Sequence, residues 1–260
     1  MEPDYEEIAR AARLKVLDLI HAVGTSHIGS NFSVIDLMAV LFEHVDLDKD
    51  KVILSKGWAA ASLYYFLWKK GRITEEELNS YCQPGSKWIN LAEPIHPDIP
   101  AAGGSMGYGL PMGVGFALAK KMKGEEGTIY VIMSDGELDI GTTWESALIA
   151  AHHKLDNLVV IVDYNGFQAM GKTDDILQVL LFSAFPFWYK AICDNGHHHT
   201  ILEEMIFHPS RHNGQPFVLI ANTIKGKGVS FMENNNDFHY LHVSDEDYKK
   251  AGKELMYGKW

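Results

Sequence analysis

Residues 129–141 read IYVIMSDGELDIG, and this stretch decides how the rest of the chain is read. A short apolar run rich in Ile, Val and Tyr stops at Ser-Asp-Gly. That is the pattern of a buried strand delivering a carboxylate and a glycine at its carboxyl end. Residues 158–167, LVVIVDYNGF, repeat the form, with Asn165 and Gly166 after the strand. Residues 142–155, TTWESALIAAHHKL, lie between and read as a helix capped by Thr142 or Thr143. Strand, helix, strand, with strands apolar on both faces, predicts a parallel sheet covered by helices on both sides.

The same order extends outward. Ile8, Ala12, Val16, Leu19 and Val23 mark one helical face, closed by Gly24. Ser33 reads as the cap of a second helix, VIDLMAVLFEHV. KVILS is a short strand, and WAAASLYYFLWKKG a helix stopped by Gly71. Residues 82–104 contain Pro84, Pro94, Pro97 and Pro100 and read as a long irregular loop of functional type. GGSMGYGLPMGVGFALAKKM passes from glycine-rich loop into helix, and PFVLIANTI is a further strand. No repeat or composition break divides the chain. The expectation is one α/β domain over 1–260, with a peripheral polar helix from about 241.

Composition narrows the function. The net charge is −11 and no basic stripe occurs, which argues against nucleic acid as a partner. Cys82 and Cys193 stand far apart in no metal-ligand spacing, so a reduced, cytoplasmic setting is expected. The start MEPDYEEIAR is acidic and polar, unlike a signal peptide. No apolar run is long enough to span a membrane.

In open parallel sheets, ligands bind beyond the carboxyl ends of the strands. Asp135 and Asn165 fall at two such ends, which should be neighbours. A hard cation such as Mg²⁺ takes oxygen ligands, and these two residues with a carbonyl of the NGF turn can give three. Asp-Gly and Asn-Gly are also common turn formers, so either dipeptide alone is equally well read as a turn.

Residues 134–171, SDGELDIGTTWESALIAAHHKLDNLVVIVDYNGFQAMG, resemble the thiamine diphosphate motif of the transketolases, particularly the N-terminal subunits of split transketolases. GTSHIGSNFSVIDLMAVLF, KVILSKG, GGSMGYGLPMGVGFALAKK and NTIKGKGVSFMENN also have counterparts there, in order. The resemblance implies the diphosphate-binding half of a thiamine diphosphate enzyme with Mg²⁺. It implies Asp135, Asn165 and the Phe167 carbonyl as metal ligands, and Gly136 as the point of close approach to the diphosphate. Gly104, Ser105 and Met106 would lie near the diphosphate or substrate, at a helix start suited to anions. Glu137, Trp58 and Glu145 complete the expected cofactor surroundings. His27, His96 and His239 would line the cofactor and substrate channel. The chain has 13 histidines, and His152, His153 and His197–His199 are read as surface residues.

Three departures from the family stand out. Trp58, in SKGWA, replaces a histidine, and an indole gives one N–H donor and takes up no proton. Ile140 replaces a glutamate of a carboxylate chain between paired sites, leaving Glu145 without its partner. Ser134 replaces the first glycine of Gly-Asp-Gly, a tolerable change in a position where positive φ would be disfavoured.

The resemblance implies transfer of a two-carbon ketol unit from a ketose to an aldehyde. The activating Glu of the family lies on a pyrimidine-binding domain that this sequence lacks. An α2β2 assembly with a C-terminal partner subunit is therefore expected. Two other readings stand beside it: a carboligase using a 2-oxo acid donor, motivated by Trp58, and a non-catalytic partner-binding subunit, motivated by all three departures.

Overall fold

The computed structural model describes residues 3–179, 185–207 and 214–258. The first two residues and the last two of the expected C-terminal tail lie outside the described residues. Helix α1 (Tyr5–Val23) is capped by Asp4, whose Oδ1 accepts from the Glu7 N–H, and ends at Gly24 in the left-handed conformation. α2 (Ile28–His44) follows, then β1 (Lys51–Leu54), α3 (Ala60–Lys69) and the short α4 (Glu75–Asn79). Residues 82–104 contain no helix or strand, as expected. α5 (Gly109–Lys123), β2 (Ile129–Ser134), α6 (Gly141–His152) and β3 (Leu158–Tyr164) form the central units. A two-stranded hairpin, β4 (Phe167–Gln168) and β5 (Gly171–Lys172), leads to a single turn, α7 (Thr173–Ile176). β6 (Tyr189–Cys193), α8 (His199–Phe207), β7 (Phe217–Asn222) and α9 (Asp245–Tyr257) complete the order.

The main sheet runs β1-β2-β3-β7-β6, with every pair parallel. Its side chains divide by the two-residue period of a strand. Tyr130, Ile132, Val159 and Ile161 pack with the α1–α2–α3 side, in a core shared with Leu202 of α8 and Leu255 of α9. Val131, Met133, Val160 and Val162 pack with Leu110 and Val114 of α5 and Ala147 of α6. Two cores need apolar residues at consecutive positions, which explains the unbroken apolar runs. α9 carries the polar composition expected of the tail and lies on α1, where Tyr248 Oη donates to Asp18 at 2.8 Å.

Two expected caps are corrected. α2 starts at Ile28, with His27 at its N-cap in the left-handed conformation, so Ser33 is inside the helix. The Ser33 hydroxyl instead donates to Asp163 Oδ2 at 2.6 Å across the core. α6 starts at Gly141 without a side-chain cap. Thr142 and Thr143 donate outward, to Gly107 O at 3.0 Å and Glu137 O at 2.6 Å. In both places a tertiary acceptor outcompetes the local capping bond.

Candidate active site

The β2–β3 register pairs Ser134 with Asp163, so Asp135 and Asn165 emerge side by side. They line a cavity of about 500 Å³ at the carboxyl end of the sheet, in the size range of small-molecule sites. Asp135 Oδ2 accepts from Gly166 N–H at 2.8 Å and Thr173 Oγ1 at 2.9 Å, and Oδ1 from Gly136 N–H at 2.9 Å. Burial pushes its carboxyl up to about 6, against the Thr173 hydrogen bond. A carboxylate so desolvated is held charged by an added cation. Asn165 Oδ1 accepts from Phe167 N–H at 3.2 Å, and Phe167 lines the same cavity. A Cβ on Gly136 would come within 3.0 Å of Met106 Cε and 3.2 Å of Gln168, so the backbone is closely approached there. An oxygen-rich pair beside a tight glycine fits a divalent cation with a diphosphate.

Glu137 lines the cavity but is fully engaged by protein. Its Oε1 accepts from the Ser55 hydroxyl and from Gly107 N–H at 3.1 Å. Its Oε2 accepts from Ser134 N–H at 2.8 Å and Ser134 Oγ at 3.2 Å. This carboxylate ties the ends of β1 and β2 to the loop entering α5, and burial raises its pKa. Ser134 has φ of −92°, so serine stands here without left-handed backbone strain. Ile140 packs on Gly107: with φ of +78°, Gly107 has its Cβ direction 2.5 Å from Ile140 Cγ2. The expected carboxylate position is thus an apolar contact between loops.

The aromatic wall is built from distant segments. The Trp58 indole stacks on the His27 imidazole, with centroids 4.7 Å apart and planes 12° apart. His239 meets His27 edge-on at 4.9 Å, and Tyr240 meets it at 5.6 Å. Burial, then the charges of Lys225 and Lys56, lowers the His27 pKa to about 4. Burial, then Lys225, His27 and Lys56, lowers that of His239 to about 3. Both rings are neutral at neutral pH.

Three expected positions lie elsewhere. His96 does not line the cavity. Its Nδ1 accepts from Asp98 N–H at 3.2 Å, and its ring lies 5.9 Å from that of Trp88. Ser105 is exposed outside the lining, although Gly104 and Met106 belong to it. The helix starts only at Gly109, and the amides near its start are already donated, Gly107 to Glu137 and Gly109 to Ser55 Oγ. Glu145 is exposed on α6, away from the lining. His197 and His199 are also not simple surface residues. Both bond Asp36, at 2.6 and 2.9 Å, and Asp36 also accepts from Arg13 at 2.5 Å.

Sequence patterning does not single out Lys56, Asp163 or Lys225, yet all three are buried near the cavity's strand ends. Lys56 lines the cavity, and its ammonium pairs with Asp163, which also accepts from the Ser33 and Thr223 hydroxyls. Lys225 is fully buried, with its pKa lowered to about 8 by burial and then by Lys56. Lys56 follows β1 and Lys225 follows β7, at the same carboxyl edge of the sheet as Asp135 after β2 and Asn165 after β3.

The profile of the family described as transketolase, thiamine diphosphate binding domain, matches residues 5–259. The chain is 33% identical to the 6-deoxy-6-sulfo-D-fructose transketolase subunit SqwG of Clostridium sp. (strain MSTE9), covering 97% of this chain and 96% of the relative. It is 34% identical to one of the subunits of the apulose-4-phosphate transketolase of Actinobacillus succinogenes, with the same coverage of 97% and 96%. Among solved structures, transketolase from Campylobacter jejuni superposes with a TM-score of 0.91 at 25% identity, covering 98% of this chain and 43% of that one.

Fold and family profile together define the class, an α/β thiamine diphosphate-binding domain with a cavity at the carboxyl ends of its parallel strands. The chain belongs to the transketolase thiamine diphosphate-binding family, as a ketol-transferring enzyme of the split, transketolase-like type. Its cofactor is thiamine diphosphate with a divalent metal, Mg²⁺ being typical.

Proposed function

We propose that residues 1–260 act as a single domain, the diphosphate-holding subunit of an enzyme that moves a two-carbon ketol unit from a ketose to an aldehyde. The observation that carries this reading is the convergence of Asp135 and Asn165 on one cavity with two neutral histidines. Asp135, Asn165 and the Phe167 carbonyl would hold Mg²⁺, and Gly136 would let the diphosphate approach the backbone. When bound, thiamine diphosphate supplies the nucleophilic carbon that takes up the ketol unit. The chain contributes position and electrostatics. Lys56 places positive charge beside the anion site, and Glu137 holds the loops in register. His27 and His239, kept neutral, can exchange hydrogen bonds with carbonyl and hydroxyl oxygens of substrate.

The relatives are named as subunits. On that support the partner is a C-terminal transketolase-like subunit carrying the pyrimidine-binding domain and the activating Glu, in an α2β2 assembly. The free thiols Cys82 and Cys193 fit a cytoplasmic setting. Among the described residues, no helix is long and apolar enough to cross a membrane.

The bulky Trp58 wall favours one second reading, a 2-oxo acid donor. Co-expression with a pyrimidine-domain subunit decides between them. The complex is challenged with ketoses and with 2-oxo acids, and the trapped adduct is identified by mass. A two-carbon ketol adduct supports ketol transfer; carbon dioxide release from 2-oxo acids without ketose cleavage overturns it.

A further inference from the structure

Lys225 has no assigned duty, yet its surroundings are fully specified. Its side chain is wholly buried after β7, with the ammonium 5.8 Å from the Phe167 ring centroid. It donates to Asn236 Oδ1 at 2.8 Å and lies 2.8 Å from His239 Nδ1. The amide orientation of Asn236 has independent support, because its Nδ2 donates to Ala169 O at 3.4 Å. The oxygen is therefore the atom facing Lys225.

An ammonium has three donors and no acceptor. His239 Nδ1 must meet it with a lone pair. A neutral imidazole carries one ring proton, and the bond made by one nitrogen assigns the proton to the other. The His239 ring is also braced. Its carbonyl accepts from His27 N–H at 3.1 Å, and the Tyr240 ring lies 4.6 Å away.

We propose that Lys225 is a positioning residue that fixes His239 as the Nε2–H tautomer, so that His239 serves the cavity as a hydrogen-bond donor and not as a proton acceptor. That this donor would meet a carbonyl or hydroxyl oxygen of a sugar rests on the ketol-transfer reading; the tautomer itself does not. The neutrality of His239 follows from its burial beside this cation.

The test is a long-range proton–nitrogen correlation spectrum of the full chain, labelled at histidine nitrogens, at neutral pH. His239 is assigned by comparison with His239→Asn. The expected wild-type signature is an unprotonated Nδ1 and a protonated Nε2. Lys225→Met should shift both resonances toward their average as the tautomers mix, and Lys225→Arg, which keeps a donor, should restore the wild-type pattern. A protonated Nδ1 in the wild type overturns the proposal, as does a Lys225→Met spectrum with His239 unchanged. If Lys225→Met does not fold, the wild-type spectrum still decides. Because the experiment uses neither cofactor nor substrate, its failure leaves the ketol-transfer reading intact. Failure of ketol transfer likewise leaves the tautomer assignment standing.

Discussion

Trp58 lies flat on His27, and together they make a wall of the cavity that also holds Asp135 and Asn165. The indole remains 41% exposed, so its outer surface is presented to whatever occupies the cavity. A partly exposed indole stacked on a buried imidazole contributes about 0.5–1.5 kcal/mol beyond the area it covers. Trp58→His should therefore leave the thermal midpoint within a few degrees of wild type. The same change should alter the ratio of kcat/KM between donor substrates by roughly tenfold, the scale of one reshaped pocket wall. Steady-state kinetics of the assembled complex on several ketoses checks this; unchanged donor ratios would remove Trp58 from substrate selection.

The neutral histidine pair sets a pH dependence. In the unfolded chain His27 and His239 return to about 6.5. In the fold they sit at about 4 and about 3. The unfolded state thus binds more protons between those values, so the pair contributes stability above pH ~6.5 that is lost as pH falls. For the pair the loss should be roughly 2–2.5 kcal/mol per pH unit between about pH 6 and pH 4. Urea denaturation at stepped pH, compared with a His27→Asn, His239→Asn double variant, isolates it: the variant should show a shallower decline.

Glu137 lines the cavity, and both of its carboxylate oxygens are bonded to protein donors of the surrounding loops. Glu137→Gln replaces one acceptor oxygen with an NH2 group, which cannot accept from the Ser55, Gly107 or Ser134 donors that it faces. The expected cost is about 1–3 kcal/mol, from buried donors left unpaired. Cofactor affinity should fall as a consequence of loosened loops. Denaturation of the cofactor-free chain separates the two, since a residue that only bound cofactor would leave that curve unmoved.

How much of this could be read from the sequence follows from the range of the interactions. The parallel sheet was readable because two-sided burial writes itself as continuous apolar runs. Asp135 and Asn165 were readable because each ends such a run. Lys56 and Lys225 end runs too, but a lone lysine reads as a solvated charge until Asp163, Asn236 and His239 are seen beside it. Ser33, Thr142 and Thr143 misled for the same reason. Their capping chemistry is local, while the acceptors they use come from distant segments. His96 falls in a proline-rich loop with no period to fix its direction.

Asp36 joins α1, α2 and the start of α8. Burial opposes its charge, but Arg13 and the hydrogen bonds from His197 and His199 outweigh that and hold its carboxyl well below the ordinary value. Asp36→Asn would leave Arg13 buried without its carboxylate. Breaking such a pair costs about 3–5 kcal/mol. The variant should unfold at markedly lower urea than wild type, with no selective loss of cofactor affinity in the fraction that folds.

The most direct measurement is calorimetric titration of thiamine diphosphate into the assembled complex, with and without Mg²⁺, for wild type and Asp135→Ala. Binding should require Mg²⁺ and should weaken by about a hundredfold in the variant, roughly 2.7 kcal/mol. Equal affinity in wild type and variant, or binding indifferent to Mg²⁺, would contradict the assignment of the β2 and β3 strand ends as the cofactor's anchor.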